Sequence, residues 1–283
     1  MREFRFVLTP FCNYKCFFCH AENICEDVTL LLSPSDYAFM AETAKTNLGW
    51  NTATITGGEP LISPIFLEVC EAFKVEGINV TVVTNASLLA RPAEMLRNVS
   101  QVNVSLHTLN SETYKEITQI GYPLEEILNT IRKTREQLPD LIIHLNYTVI
   151  KGMNDKDEDF EKLFEFSKEV KATPKLIDLS SSDENIATDA DEIVSQLMRM
   201  GFELKIQTAW QFKLARNDVE VIITKCPFNG KHTDEPIRDV FVEPNGIMYT
   251  SYSGTKSIDA LENIKSRNSK GLVEQITNLL QGS

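Results

Sequence analysis

The sequence predicts an α/β fold, a partial (β/α)6 barrel of the TIM type followed by a small C-terminal α+β extension. Three observations lead there. Strand-like runs at residues 5–9, 52–56, 79–83, 102–106, 142–149 and 175–179 alternate with stretches of helical spacing, and six such units imply a parallel sheet with right-handed crossovers, closed or nearly closed. Polar residues gather at or just beyond the C-terminal ends of those runs, where a barrel places its active site. Past about residue 203 the alternation gives way to short strands, so residues 1–205 read as the barrel and 206–283 as an extension covering its mouth. A chain of 283 residues can bury a full core and suits one large domain with an appendage better than two equal ones.

The first run, 5–9, ends at Pro10 and delivers the chain into a loop holding Cys12, Cys16 and Cys19. Ser33 and Pro34, as cap and first helical residue, open a helix to about residue 45. The run 52–56 passes directly into Gly57-Gly58-Glu59-Pro60, after which Ser63-Pro64 starts a helix to about residue 73. The third run ends at Thr84-Asn85 and the fourth near His107; the fifth contains Asn146. Residues 155–170 have the spacing of a charged amphipathic helix with a solvated acidic face, and 189–200 supply the helix after the sixth run. The polar stretch 180–185 reads as a solvated loop. In the extension, 219–223 and 239–243 look like strands, Asn245-Gly246 favours a hairpin into 247–250, and 272–280 has helical spacing and packs back on the barrel. Trp50 and Trp210 read as packing residues.

Hydrophobic residues make up 42% and charged residues 24%, ordinary for a globular protein. With 28 basic against 40 acidic residues the net charge is −12, so no general field draws nucleic acid or anionic lipid. An anionic substrate needs its own local arginines or lysines. The sequence shows no apolar signal core after Met1 and no run of roughly 18 apolar residues, and a cytoplasmic location without membrane or nucleic-acid partners is expected.

Cys12, Cys16 and Cys19 stand in a C-x3-C-x2-C spacing. Three thiolates this close can converge on one iron–sulfur cube from a single loop and leave its fourth iron open to another ligand. Zinc would want a fourth ligand, which His20 could supply. A disulfide between such near neighbours closes a strained ring.

Cys12, Cys16 and Cys19 followed by Thr56-Gly57-Gly58-Glu59-Pro60 resemble the radical S-adenosylmethionine (SAM) superfamily. Within it, residues 105–113 and 146–155 resemble the MoaA-like branch, the GTP cyclases of molybdenum-cofactor synthesis, over roughly residues 4–180. The resemblance implies a [4Fe–4S] cluster whose open iron is chelated by SAM, and reductive cleavage to a 5′-deoxyadenosyl radical that takes a hydrogen atom from substrate. It also implies an electron donor such as flavodoxin or ferredoxin. By similarity, Gly57, Gly58 and Glu59 line the methionine amino group, Phe18 touches adenine, and Ser105, Asn85 and Asn146 hold the ribose or carboxylate. The glycines allow close backbone approach to a ligand.

Departures from that branch bear on the substrate. Its cyclases carry a second cluster on three C-terminal cysteines, whereas here only Cys226 is present and Tyr249-Thr250-Ser251-Tyr252 follows the Asn245-Gly246 turn. Arg5 and Arg238 fall where the branch has substrate-binding arginines and suit a phosphate bidentately. Even so, the missing second-cluster cysteines argue against a second cluster, and GTP cyclisation is not assigned.

Cys226 is either a small buried residue or a thiol that returns a hydrogen atom to a substrate radical, making the reaction redox-neutral. Cys70 lies on an apolar helix face and Cys25 on the loop after the cluster motif. His107, where the cyclases commonly have aspartate, is expected to hydrogen-bond SAM or substrate, to transfer a proton, or to be structural. His20 shapes the cluster pocket, and Asp178 contacts SAM or substrate if its strand register turns it inward. The expected function is a single-cluster radical SAM enzyme acting on a small polar metabolite of nucleotide, nucleoside or sugar type. Its rivals are modification of a ribosomal peptide and a non-catalytic iron–sulfur sensor.

Overall fold

The computed structural model describes residues 3–19, 29–226, 239–250 and 257–281. The chain builds β1 (Glu3–Val7), α1 (Pro34–Leu48), β2 (Thr52–Thr56), α2 (Phe66–Val75), β3 (Asn79–Thr84), α3 (Pro92–Met95) and β4 (Gln101–Ser105). It continues with α4 (Ser111–Thr118), α5 (Leu124–Gln137), β5 (Ile142–Val149), α6 (Asp157–Glu169), β6 (Thr173–Asp178) and α7 (Ala190–Arg199). All six expected strands form within two residues of their expected places. They pair in parallel in chain order, β1 to β6.

The extension joins this sheet. After α7 come β7 (Glu203–Gln207), β8 (Gln211–Arg216) and β9 (Val219–Thr224), an antiparallel meander whose last strand pairs in parallel with β6. On the opposite edge β10 (Asp239–Val242) pairs in parallel with β1, and β11 (Ile247–Thr250) and β12 (Ser257–Asp259) follow antiparallel. The result is one twelve-stranded sheet in the order β12-β11-β10-β1-β2-β3-β4-β5-β6-β9-β8-β7. β10 and β9 are not paired with each other, so the barrel is open. The boundary expected at 205/206 falls inside β7. Finally α8 (Leu261–Lys265) and α9 (Ser269–Gln281) pack back against α1, as the spacing of 272–280 predicted.

Strand alternation decides which side chains see the helices and which see the barrel interior. On β1, Phe4 and Phe6 turn outward; Phe6 meets Tyr37 of α1 at 5.4 Å and Phe73 of α2 at 5.3 Å, ring to ring. Trp50 packs edge-on against Phe4, and Cys70 is buried in the same core, both as expected. Arg5, between the two phenylalanines, turns inward and lies over the ring of Phe241, 5.3 Å from its centroid. Phe241 in turn stacks on Tyr249 at 5.2 Å.

One buried carboxylate fixes the returning helices. Asp36 closes the capping box of α1 through the Ser33 backbone N–H and hydroxyl, each 2.8 Å away. The same carboxylate accepts from Lys265 Nζ at 2.6 Å and Arg267 Nη1 at 2.7 Å. Burial alone would raise the Asp36 carboxyl, but Lys265, Ser33 and Arg267 outweigh it and hold it well below the usual carboxylate range. A lowered folded-state pKa contributes stability above the unfolded carboxylate value of roughly 4 and loses it as the pH falls further. Because both cations are themselves half-exposed, Asp36→Asn is expected to cost only about 1–2 kcal/mol at neutral pH. Urea midpoints of the two proteins should converge as the pH is lowered below about 4.

Candidate active site

The cysteine loop leaves β1 at Leu8, whose N–H still bonds Thr56 at 3.1 Å, and is then held from two sides. On one side the Thr9 and Phe11 carbonyls accept from Gly58 N and Glu59 N, each at 2.8 Å. On the other, Lys15 N and Phe17 N donate to the Thr118 and Ile117 carbonyls, which the end of α4 leaves without helical partners. A Cβ added to Gly57, whose φ is +144°, would lie 2.4 Å from Thr9 O, and one on Gly58 only 2.2 Å from Phe11 O. These glycines thus permit a close approach of the chain's own backbone, the cysteine loop, and Gly57, Gly58 and Glu59 also line the cavity onto which that loop opens.

Glu59 is buried and its carboxylate is engaged: Oε1 accepts from Leu61 N and the Thr84 hydroxyl, Oε2 from Asn85 N at 2.8 Å. Burial raises this carboxyl despite those bonds. It ties the end of β2 to the end of β3. Asn85 is committed too, its amide donating to Asn13 Oδ1 at 2.9 Å and, more distantly, to Cys12 Sγ at 3.9 Å, while its Oδ1 accepts from Ser87. Tyr14 N also donates to Cys12 Sγ, at 3.3 Å.

The three thiols lie along the loop with Cys12 and Cys19 exposed and Cys16 half-buried. Burial, with Cys19 and Cys12 adding, pushes the Cys16 thiol up to about 12; burial raises Cys12 as well. Among the described residues no three His, Cys, Asp or Glu side chains are drawn together around a single-ion position. An iron–sulfur cube spreads its cysteines over separate corners and thus suits ligands arrayed along a loop. His20 and Cys25 lie outside the described residues.

The loop opens on a cavity of about 280 Å³ at the C-terminal ends of the strands. Neutral side chains in its lining include Phe18, Asn85, Ser105, His107, Asn146 and Thr148, and Gly57, Gly58 and Glu59 line it as well. Ser105 and Asn146 are register partners on β4 and β5, and Asn146, 8% exposed, leaves its Oδ1 without a hydrogen-bond partner. His107 accepts from Thr148 N at Nδ1, 3.1 Å away, so its proton sits on Nε2; burial lowers its pKa to about 4 and keeps it neutral. Phe18 stands edge-on against it at 4.9 Å. Asn154 locks this corner by donating to the His107 and Thr148 carbonyls at 2.6 and 2.9 Å and accepting from Ile150 N at 2.6 Å. Asn154→Ala removes three buried bonds of roughly 1 kcal/mol each and is expected to cost about 3 kcal/mol in urea unfolding.

The same lining carries charged side chains at Arg5, Glu59, Lys175 and Asp178, together with Cys226, Thr224 and Phe241, and Lys175 is the register partner of Asn146 on the neighbouring strand. Asp178 is buried at the end of β6, faces the cavity, and its carboxylate accepts from Cys226 N. Lys175, Asn103, Thr148 and Phe241 were not singled out by the sequence. Lys175 is recognisable only once Leu176 is known to face the helices, since alternation then turns Lys175 inward. Arg238 lies outside the described residues.

Three thiols on an exposed loop and an unsatisfied buried acceptor on the facing wall fit a cluster with an organic ligand bound beside it. Comparison with known proteins points the same way. Residues 6–166 match the family described as the Radical SAM superfamily. A probable GTP 3′,8-cyclase of Methanocaldococcus jannaschii is 32% identical over 185 residues, 63% of this chain and 59% of that protein. The match thus spans less than two thirds of that relative. A probable GTP 3′,8-cyclase of Pyrobaculum aerophilum is 27% identical over 99% of this chain and 93% of its own length. Among solved structures, Streptococcus suis SuiB bound to S-adenosylmethionine superposes with a TM-score of 0.67 at 16% identity, covering 92% of this chain and 63% of that one. Native anSMEcpe with bound AdoMet gives 0.66 at 14%, covering 97% and 80%. At these identities the two structures share the fold.

Proposed function

The chain belongs to the radical SAM superfamily, and from that membership we propose that it is an enzyme abstracting a hydrogen atom from a small anionic metabolite. When bound, a [4Fe–4S] cluster and SAM would supply the abstracting 5′-deoxyadenosyl radical. Cys12, Cys16 and Cys19 would hold the cluster, and the polar and aromatic side chains of the cavity lining would hold SAM. There the Asn146 Oδ1 is open to a donor and the His107 Nε2–H to an acceptor, with Phe18 beside them for an aromatic base. Gly57, Gly58, Glu59 and Asn85 would hold the loop in place and, with Ser105, line the SAM site.

The observation that carries the substrate class is the pair of cationic side chains in the cavity lining. Arg5 and Lys175 face the cavity of a protein whose net charge is −12. They would bind a phosphate or carboxylate and exclude neutral competitors. The relatives' name involves GTP, and a nucleotide fits the reading, but the sequence offers only Cys226 toward the second cluster of those cyclases, so cyclisation is not part of the proposal. A low-potential electron donor of flavodoxin or ferredoxin type and a cytoplasmic setting go with it. No helix among the described residues is long and apolar enough to cross a membrane.

The test is anaerobic reconstitution followed by iron counting and assay of 5′-deoxyadenosine with and without candidate metabolites. About four irons and stimulation by nucleotides or sugar phosphates, but not by the parent nucleosides or sugars, is the expected result. About eight irons, or stimulation by neutral compounds alone, would sink it. For the stimulating compound, Lys175→Ala is expected to raise KM by roughly 10- to 100-fold, the loss of one charge-assisted hydrogen bond.

A further inference from the structure

Resting on the reading above, we infer that Cys226 returns a hydrogen atom to the substrate radical, so that the reaction leaves its anionic substrate at the same oxidation level, as an inversion or a rearrangement. Cys226 follows β9, the strand that extends the parallel sheet beyond β6, and so comes to the same end of the barrel as the cysteine loop. It is 7% exposed and lines the cavity into which Cys12, Cys16 and Cys19 open. Its backbone N–H is tethered to the Asp178 carboxylate, which fixes the residue at the cavity wall. Arg5 and Lys175, which would bind the substrate, line the same cavity. The unpartnered Oδ1 of Asn146, the buried register partner of Lys175 in that lining, marks this space as a ligand site and not a packing gap. Cys70, by contrast, is buried among core side chains and is not part of the cavity lining.

An S–H bond is weaker than an aliphatic C–H bond, so hydrogen transfer from a thiol to a carbon radical runs downhill, and transfer from a serine hydroxyl does not. With SAM and the cluster bound, SAM cleavage would supply the radical that takes a hydrogen atom from the substrate C–H bond. The substrate carbon then takes the hydrogen atom of the Cys226 S–H bond, forming a new C–H bond and leaving a thiyl radical. One electron from the low-potential donor and one proton from solvent restore the thiol. Each turnover therefore consumes one SAM and two electrons, one for SAM cleavage and one for the thiyl, while the substrate is neither oxidised nor reduced.

The decisive experiment needs no substrate. The cluster-loaded protein is exchanged into D2O, with dithionite as sole reductant and no added thiol, and given SAM; the 5′-deoxyadenosine formed is weighed by mass spectrometry. Protein C–H bonds do not exchange, whereas a cysteine thiol becomes S–D, so the radical samples Cys226 if that thiol is within reach. Wild type is expected to yield 5′-deoxyadenosine carrying one deuterium, and Cys226→Ser to lose that label. The labelled fraction is independent of how much product forms. Unlabelled product from wild type, label persisting in Cys226→Ser, or iron lost in that variant would each overturn the inference. A second readout needs no turnover: iodoacetamide treatment of the oxidised, loaded protein with peptide mapping should modify Cys226, slow down when SAM is present, and spare Cys70. A Cys226 that is never modified, or is indifferent to SAM, overturns the assignment. No 5′-deoxyadenosine at all from loaded wild type would instead overturn the cofactor reading beneath it.

Discussion

Cys16→Ala is expected to abolish both iron binding and SAM cleavage while leaving the fold standing. Cys16 is the middle ligand of the proposed set and the only half-buried one, while its neighbours on the loop are exposed. Two remaining thiols cannot secure a cube that needs three protein ligands to present one open iron. The loop itself is held by backbone bonds from Thr9, Phe11, Lys15 and Phe17, none of which involves the Cys16 side chain. Anaerobic reconstitution should therefore give iron near zero and 5′-deoxyadenosine at background, with a urea midpoint close to that of the metal-free parent. Retention of about four irons would mean that another residue, such as His20, completes the ligand set.

Gly58→Ala is expected to be nearly as damaging by a different route. The added carbon would sit 2.2 Å from Phe11 O and 2.7 Å from Pro10 O, both backbone atoms with no rotamer to escape into. Relief requires the cysteine loop to lift away, which breaks the Thr9 and Phe11 bonds to Gly58 N and Glu59 N. A clash of this kind belongs with the severe single substitutions, about 3–5 kcal/mol. Thermal unfolding of the metal-free variant separates this cost from cluster loss. If Gly58→Ala kept parental stability and lost only SAM affinity, the glycines would be serving the ligand after all.

Much of this was legible in the sequence because central parallel strands, buried on both faces, announce themselves. The six runs from residue 5 to residue 179, the cysteine loop after the first, and the polar residues beyond the others were all found where their patterns put them. What could not be read was partition and destination. Lys175 and Asp178 depend on strand parity and on what happens where a strand frays, neither of which is visible in a string of letters. The destination of the Gly57-Gly58 close approach depends on which backbone lies opposite. The joining of β9 to β6 and of β10 to β1 arises from pairings across long stretches of chain, whereas hydrophobic patterning reports only on a strand's own faces.

The position of β1 has a consequence for biosynthesis. The strand ends up interior to the sheet, between β2 and a strand made some 235 residues later. Until the ribosome has released β10, one rim of β1 stays an open row of amides and carbonyls, the kind of template on which nascent chains aggregate. Phe241, which covers Arg5, arrives with the same late strand. The emerging protein thus holds its cysteine loop well before the cavity beside it is complete. Truncation before β10 should leave an insoluble product.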